Sequence, residues 1–342
     1  MNICFISNRA MEGYRSSGLV YALRKQGIYL EAVEFPESGY FPRGWLFRRS
    51  VFERRKSIWL VTYPNARYVF FLKMLGCRKI ILDAGWPTSD FSFEREVGFY
   101  RAKLKRFLSY SFDYLTFNFS QVVLLESRSQ VEHCAPLLHT AINKLNVIPT
   151  SLDERSHSNS VSVKPADNFT ILFRGRFNPE SGVEVLLDVA QKLIEMPFRF
   201  LLLCPNLPNS YRLGSNIVLD RNFYTQSELS IHYKSSHIVL GQLASHPRLE
   251  RTVPHRAIEA AYSGSIFVTG RNAAVSEFFT ENQDCLMFSP GSAEELCELL
   301  ICVFEDYSSY KYLGENILST YKKRFSPKVI ARDFIGIVDS WV

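Results

Sequence analysis

The chain has no apolar run near the roughly 18 residues a membrane-spanning helix requires. Its longest apolar blocks, 198–204 (FRFLLLC) and 298–304 (ELLICVF), suit a buried strand or a core helix. The opening MNICFIS lacks the basic stretch, apolar core and small-residue cleavage site of a secretory signal, so it reads as a first buried strand. No C-x-x-C occurs among the seven cysteines Cys4, Cys77, Cys134, Cys204, Cys285, Cys297 and Cys302. An odd, scattered set argues against a disulfide framework or a zinc site and for buried free thiols in a reducing compartment, the cytosol. No D-x-D is present to clamp a bridging Mg²⁺ or Mn²⁺, and no metal is expected. G-x-G-x-x-G is missing too, which argues against a nicotinamide enzyme. The seven histidines are scattered, with no Ser-His-Asp spacing and no metal-ligand cluster.

What is present is an ordinary globular composition, 46% apolar and 22% charged, which excludes a disordered chain. At 342 residues the length exceeds what one hydrophobic core usually organises, so two domains are expected. The net charge of +6 is uneven: residues 1–165 carry 23 Lys and Arg against 14 Asp and Glu, whereas 166–342 carry 17 against 20. An anionic partner is therefore expected for the first half only.

Short β-rich runs alternate with amphipathic ones. Strands are predicted at 2–7, 29–35, 58–62, 79–83, 122–126 and 145–149, with helices at 17–26, 65–75 and 130–138. Continuous apolar strands separated by helices point to a parallel sheet covered on both faces. A polar stretch, 153–168, reads as a linker, after which the pattern restarts. Strands are predicted at 169–174, 198–204, 216–219, 237–240 and 266–269, and helices at 182–195, 227–233, 254–263, 274–279 and 293–304. The tail from Tyr307 is helical, interrupted at Ser326-Pro327. The expected boundaries are a first domain 1–165, a second 166–322 and a closing helix 323–342.

The strongest local feature runs from Thr252 to Gly264 (TVPHRAIEAAYSG). Pro254 suits a first helical position and Thr252 a cap before it. A helix N-terminus opening from a strand-end loop offers free N–H groups and a positive dipole end, which suits a diphosphate. Glu259 could accept bonds from ribose hydroxyls, although spacing alone favours the exposed face of an ordinary capped helix.

FTILFRGRFNPESGVEVLLDVAQKL, from Phe169, is similar to the opening of the donor domain in family-four glycosyltransferases (glycosyl transferases group 1). TVPHRAIEAAYSGSIFVTGRNAAVSEFFTENQDCLMFSPGSAEELCELL looks like the donor-binding stretch of the same family, in a variant with a T-V-P-H-R loop. KLNVIPTSLDE and LLESRSQVEHC resemble, more loosely, the end of its acceptor domain. The resemblance implies an α/β chain of two Rossmann-like domains facing across a cleft (GT-B), with a C-terminal helix crossing back to the first. It further implies a metal-independent retaining hexosyltransferase with no cofactor. Its donor would be a nucleoside-diphosphate sugar, UDP-sugars being favoured, and its acceptor a glycan or lipid-linked glycan in surface polysaccharide or glycolipid assembly.

The donor site so implied comprises Gly175, Arg176, Thr252, Val253, Pro254, His255, Arg256 and Glu259. In the implied same-face reaction the departing diphosphate takes the acceptor's proton, and Arg176 supports the leaving charge. The chain departs from the family at two places. Arg251 stands where the first acid of a Glu-x7-Glu pair is expected, with Glu250 one residue off. Ser181 stands where a Lys is usual. Arg256, Arg251 or Arg248 could supply the second phosphate-binding charge.

On the acceptor side, Asp83-Ala-Gly-Trp86-Pro ends a predicted strand. Asp83 could orient a sugar hydroxyl with Trp86 stacked on the ring, or simply close a turn and cap a helix. The loop after the first strand, containing Gly13, approaches the donor phosphates or the acceptor in enzymes of the resembled fold. His246 and His255 flank the donor loop, where a structural role outweighs sugar contact. Residues 40–56 interleave Arg48, Arg49 and other cations with Trp45 and other aromatics, and Arg101-Ala-Lys-Leu-Lys-Arg106 adds to them. Such a stretch suits an anionic membrane surface at the inner face of the plasma membrane, or a solvated helix face. No nucleic-acid reader motif accompanies it. Two other readings stay open: a sugar-nucleotide epimerase on the same fold, and a catalytically silent partner that binds sugar nucleotide or membrane.

Overall fold

The computed structural model describes residues 2–7, 13–34, 45–62, 65–90, 99–157 and 168–341. The chain divides into unit 1, Met1–Asp153 with Pro327–Val342, and unit 2, Glu154–Ser326. The boundary expected at 165/166 falls at a residue outside the described ones.

In unit 1, six strands form one sheet: β1 (Asn2–Ser7), β2 (Tyr29–Glu34), β3 (Ile58–Thr62), β4 (Lys79–Gly85), β5 (Val122–Leu125) and β6 (Leu145–Val147). Their order is β2-β1-β3-β4-β5-β6, and every pairing is parallel. β3 is buried along its whole length, as expected of an apolar strand with helices on both faces. The helices are α1 (Tyr14–Lys25), α2 (Trp45–Glu53), α3 (Tyr68–Met74), α4 (Phe99–Phe119) and α5 (Arg128–Leu137).

Unit 2 repeats the plan. β7 (Phe169–Arg174), β8 (Phe198–Leu203), β9 (Ile217–Asp220), β10 (Ile238–Leu240), β11 (Ile266–Gly270) and β12 (Leu286–Phe288) form a second parallel sheet, ordered β12-β11-β10-β7-β8-β9. Read from β9, this is the dinucleotide-fold order, whose direction of winding reverses between β7 and β10. A crevice outside the carboxyl ends of those two strands is where such sheets bind ligands.

Around this sheet lie α6 (Val183–Lys192), α7 (Gln226–Ser235), α8 (His255–Ser263), α9 (Ala273–Ser276), α10 (Ala293–Glu305) and α11 (Tyr307–Arg324). α6 buries Val183, Leu186, Val189 and Ala190 against the sheet, a stripe at helical spacing. α8 stops at Gly264, whose left-handed φ of 67° a side chain would strain. A Cβ placed on Gly314 of α11 would lie 2.3 Å from the Gly264 carbonyl oxygen, so two glycines let α11 seat directly on the end of α8.

The tail breaks at Ser326–Pro327, as Pro dictates. α12 (Pro327–Asp339) then belongs to unit 1, where Ile330, Ala331, Phe334 and Val338 share a core with Leu19, Ala22 and Leu23 of α1. It starts at 327 instead of the expected 323 because α11 continues through Arg324. α2, α4 and β12 lie outside the strands and helices predicted from the sequence. α4 carries exposed apolar residues that blur its period, and β12 is only three residues long.

Candidate functional site

At the carboxyl end of β7 the chain turns through Gly175, whose N–H donates to Leu203 O at 3.1 Å. Asn206 then clamps the following loop: its side chain accepts from Phe177 N at 2.8 Å and donates to Phe177 O at 3.2 Å. Arg176 stands between them, exposed. Ser181 is buried and donates to Asn178 O at 2.8 Å, so it closes the loop in place of the usual lysine. Gly182, at φ 73°, follows at the cap of α6; a Cβ there would lie 2.5 Å from Ala244 N.

The loop before α8 departs from expectation at its cap. Thr252 does not cap the helix: it is buried, and its hydroxyl donates to Arg248 O at 3.1 Å, closing a short turn over Pro247–Arg251. Pro254 is itself the cap residue and His255 the first helical one. His246 accepts from Arg248 N at 3.3 Å and is structural. Arg248 is buried and holds Glu180 with two contacts of 3.0 and 2.8 Å, which removes it from the candidate phosphate ligands. Glu250 is exposed and accepts from Ala273 N at 3.4 Å. Val253 and Pro254 are buried, and Arg251 is half-buried.

Arg256 is set differently. It lies 4.6 Å over the Phe173 ring and beside Gly175, and its Nη1 is buried with no hydrogen-bond partner. Burial lowers its pKa to about 10, which leaves it charged at neutral pH; Tyr233 and Glu259 oppose the shift and Arg174 adds to it. In the first turn of α8, Ala257 N donates to Pro254 O at 2.8 Å, while the N–H groups of His255 and Arg256 have no intrahelical acceptor by position. A charged group, exposed Arg176 and a helix N-terminus therefore converge beside the β7 end.

Glu259 is only 1% exposed. Its carboxylate accepts from Tyr233 Oη at 2.6 Å and from Arg174 Nη1, and His255 Nδ1 lies 3.3 Å from its other oxygen. Burial alone would raise its pKa. Arg174, His255 and Tyr233 together outweigh that, and the carboxyl is held well below the ordinary range. Arg174 and Tyr233 escaped the sequence reading. The acid at Glu259 was visible; its buried counter-charge, 85 residues upstream, was not.

Unit 1 has its own charged cluster, also at strand carboxyl ends. Arg15, in the first turn of α1, donates to Asp83 Oδ1 through Nε at 2.8 Å and to Thr150 Oγ1 at 3.2 Å, with Glu126 Oε1 at 3.6 Å. Thr150 donates to Glu126 at 2.7 Å, and Trp86 Nε1 donates to the other Glu126 oxygen. Asp83 is fully buried and neither caps a helix nor closes the turn; its Oδ2 has no partner. Burial raises its pKa, Arg15 opposes, and Glu126 adds to the rise. Trp86 is tied to Glu126 through its indole N–H. Gly13 caps α1 through the backbone alone. Arg15 and Glu126 carried no sequence signal: Glu126 follows β5, the neighbour of β4, and Arg15 reaches Asp83 from α1, which follows β1 two strands away. Arg49 is exposed and pairs with Glu53 at 2.8 Å. Trp45 and Arg48 lie in α2, and their side chains fall outside the described residues, as do residues 40–44 of the basic stretch.

Residues 168–306 match the family described as Glycosyl transferases group 1. No curated protein matches the chain by sequence. Among solved structures, HepE of Anabaena in complex with UDP superposes with a TM-score of 0.75 at 13% identity, covering 99% of this chain and 100% of that one. Sucrose-phosphate synthase of Thermosynechococcus elongatus gives 0.70 at 14%, over 99% and 98%. The lipopolysaccharide outer core galactosyltransferase WaaB, in its apo form, gives 0.68 at 13%, over 100% of both chains. The chain thus carries the GT-B fold of these glycosyltransferases: two α/β units, each built on a parallel six-stranded sheet.

Proposed function

We propose that the chain transfers a sugar, with retention of configuration and without a metal, from a nucleoside-diphosphate sugar held by unit 2 to a glycan or lipid-linked glycan. The observation that carries this reading is the Arg256 guanidinium, buried on one side with an unpartnered N–H beside the Gly175 turn and the α8 N-terminus. A diphosphate supplies the missing acceptor oxygens and the balancing charge. The family match over this unit supports the reaction class. A UDP-sugar is favoured because HepE has been solved with UDP and with UDP-glucose. Buried cysteines fit work in the cytosol.

In this reaction the acceptor oxygen bonds to the anomeric carbon on the face from which the phosphate oxygen leaves. The acceptor's proton passes to the departing diphosphate. Arg256 and Arg176 stabilise that leaving group, where charge grows most in the transition state. Glu259, wrapped by Arg174 and Tyr233, sets the electrostatics of the site from below.

The test is thermal unfolding with UDP-, GDP- and ADP-sugars in the presence of EDTA. Saturation at about a hundred times Kd stabilises the fold by about 2.7 kcal/mol, and a UDP-sugar should produce such a shift. No shift with any sugar nucleotide would refute the reading. A second reading, a sugar-nucleotide binder without transferase activity, is favoured by the engagement of Glu259 with Arg174 and Tyr233. It predicts the same shift with no donor consumption in the presence of glycan acceptors.

A further inference from the structure

α4 has two apolar faces, and the fold uses one of them. Its inner side buries Ala102, Asp113 and Phe117. There it meets α3, where Phe119 sits edge-on to Phe70 with ring centroids 5.6 Å apart, and it meets the turn at Thr88–Asp90, where Asp113 accepts from Thr88 Oγ1 at 2.9 Å and from Ser89 N at 2.6 Å. Leu104, Phe107 and Leu108 follow spacings of three and four, so they share one face. At 3.6 residues per turn that face lies opposite the buried residues. The three are 59%, 64% and 57% exposed, and Tyr114 extends the same side at 37%.

The residues around them are cationic. Arg101, Lys103, Lys105 and Arg106 are all exposed, and the one acid within Phe99–Phe119 is the buried Asp113. Lys103 and Lys105 fall about a quarter-turn to either side of Leu104. Three contiguous large apolar side chains pointing into water are costly for a monomer, and such a patch marks an interaction surface. An apolar strip edged by lysines is the pattern of a helix lying in a lipid interface, the strip among acyl chains and the cations at anionic headgroups. With this charge in its first half, α4 does not meet the criteria for a membrane-crossing helix, and no described helix does.

We propose that the outer face of α4, centred on Leu104, Phe107 and Leu108 and flanked by Lys103 and Lys105, docks unit 1 on an anionic bilayer surface. The occupant is a bilayer because the patch pairs apolar depth with a cationic rim of one sign. The basic charge excess of residues 1–165 adds longer-range attraction to anionic headgroups. The inference is independent of the nucleotide site; joined to the proposed function, it places a lipid-linked acceptor at the same surface.

The experiment is flotation of the full chain with phosphatidylcholine vesicles, with and without about one-third phosphatidylglycerol. The chain should float with the anionic vesicles and remain behind with the neutral ones. Leu104→Ser/Phe107→Ser/Leu108→Ser should reduce flotation about tenfold, with an unchanged unfolding transition because the replaced side chains are exposed. Lys103→Glu/Lys105→Glu, which leaves the apolar strip intact, should abolish the preference for anionic lipid and checks the proposal should the triple variant fold poorly. Equal flotation of both variants and the parent, equal binding to neutral vesicles, or no binding would each overturn it. So would light scattering showing a dimer that the triple variant dissolves, since a second copy would then cover the face.

Discussion

The Arg256 guanidinium lies 4.6 Å from the centroid of the Phe173 ring, while its buried Nη1 has no hydrogen-bond partner. Phe173 is the penultimate residue of β7, so a core aromatic forms the floor on which the guanidinium rests. The stacking offsets part of the desolvation, by about 2 kcal/mol, and leaves the N–H edge open.

Arg256→Leu should therefore separate stability from binding. It removes a buried unsatisfied donor, and the unfolding temperature should rise or hold. The shift produced by a UDP-sugar should vanish. Arg256→Lys should keep the charge and lose the fork, weakening binding about tenfold or more. Calorimetric titration and thermal unfolding decide it; a Leu variant that still binds would move the site elsewhere.

Arg176 is exposed and lies in no pair among the described residues. Arg176→Ala should leave the unfolding midpoint within about 0.5 kcal/mol of the parent and lower turnover about a hundredfold through loss of charge at the leaving group. Steady-state rates with saturating donor provide the check, since unchanged turnover would exclude Arg176 from the reaction.

Glu259→Ala should be strongly destabilising. It leaves Arg174 without its buried counter-charge beside Arg256, a loss of about 3 kcal/mol for a broken buried pair. Because the folded pKa is depressed, the stability from ionised Glu259 is complete above the ordinary carboxylate range. It disappears as pH falls through that range toward the lower folded value. Urea unfolding of parent and Glu259→Gln across acid pH should show that slope in the parent alone.

Asp83 behaves with the opposite sign. Burial raises its folded pKa, so stability is greatest below the ordinary aspartate value and falls as pH rises toward the raised one. Asp83→Asn cannot ionise, should still accept from Arg15, and should flatten stability over that window. An unaltered pH profile would mean that Arg15 fully compensates the buried charge.

Cys302 alone among the seven cysteines is exposed; the other six are buried. An odd, scattered set without C-x-x-C suggests seven interior thiols, but Cys302 falls on the outer side of α10. Native protein should react with one equivalent of a thiol reagent rapidly, and unfolded protein with seven.

Much of the fold was readable from the chain because it rests on local rules. Apolar runs located eleven of the twelve strands among the described residues; Pro254 and Gly264 bracketed α8, and Ser326-Pro327 divided the tail helices. Those signals lie within a few residues of what they specify. The partners of the functional groups do not. Glu259 and Arg256 stood out as a polar pair on a helix opening. Only the tertiary structure joined Glu259 to Arg174 and Tyr233, seated Arg256 on Phe173, assigned Arg248 to Glu180 and drew Asp83 under Arg15. Each of these contacts bridges strands or helices far apart in sequence, and burial then decides which charge is paired and which is left for a ligand. The sequence alone determined where α8 opens; sheet order and packing decided that Arg256 lies over Phe173 with its Nη1 unpartnered.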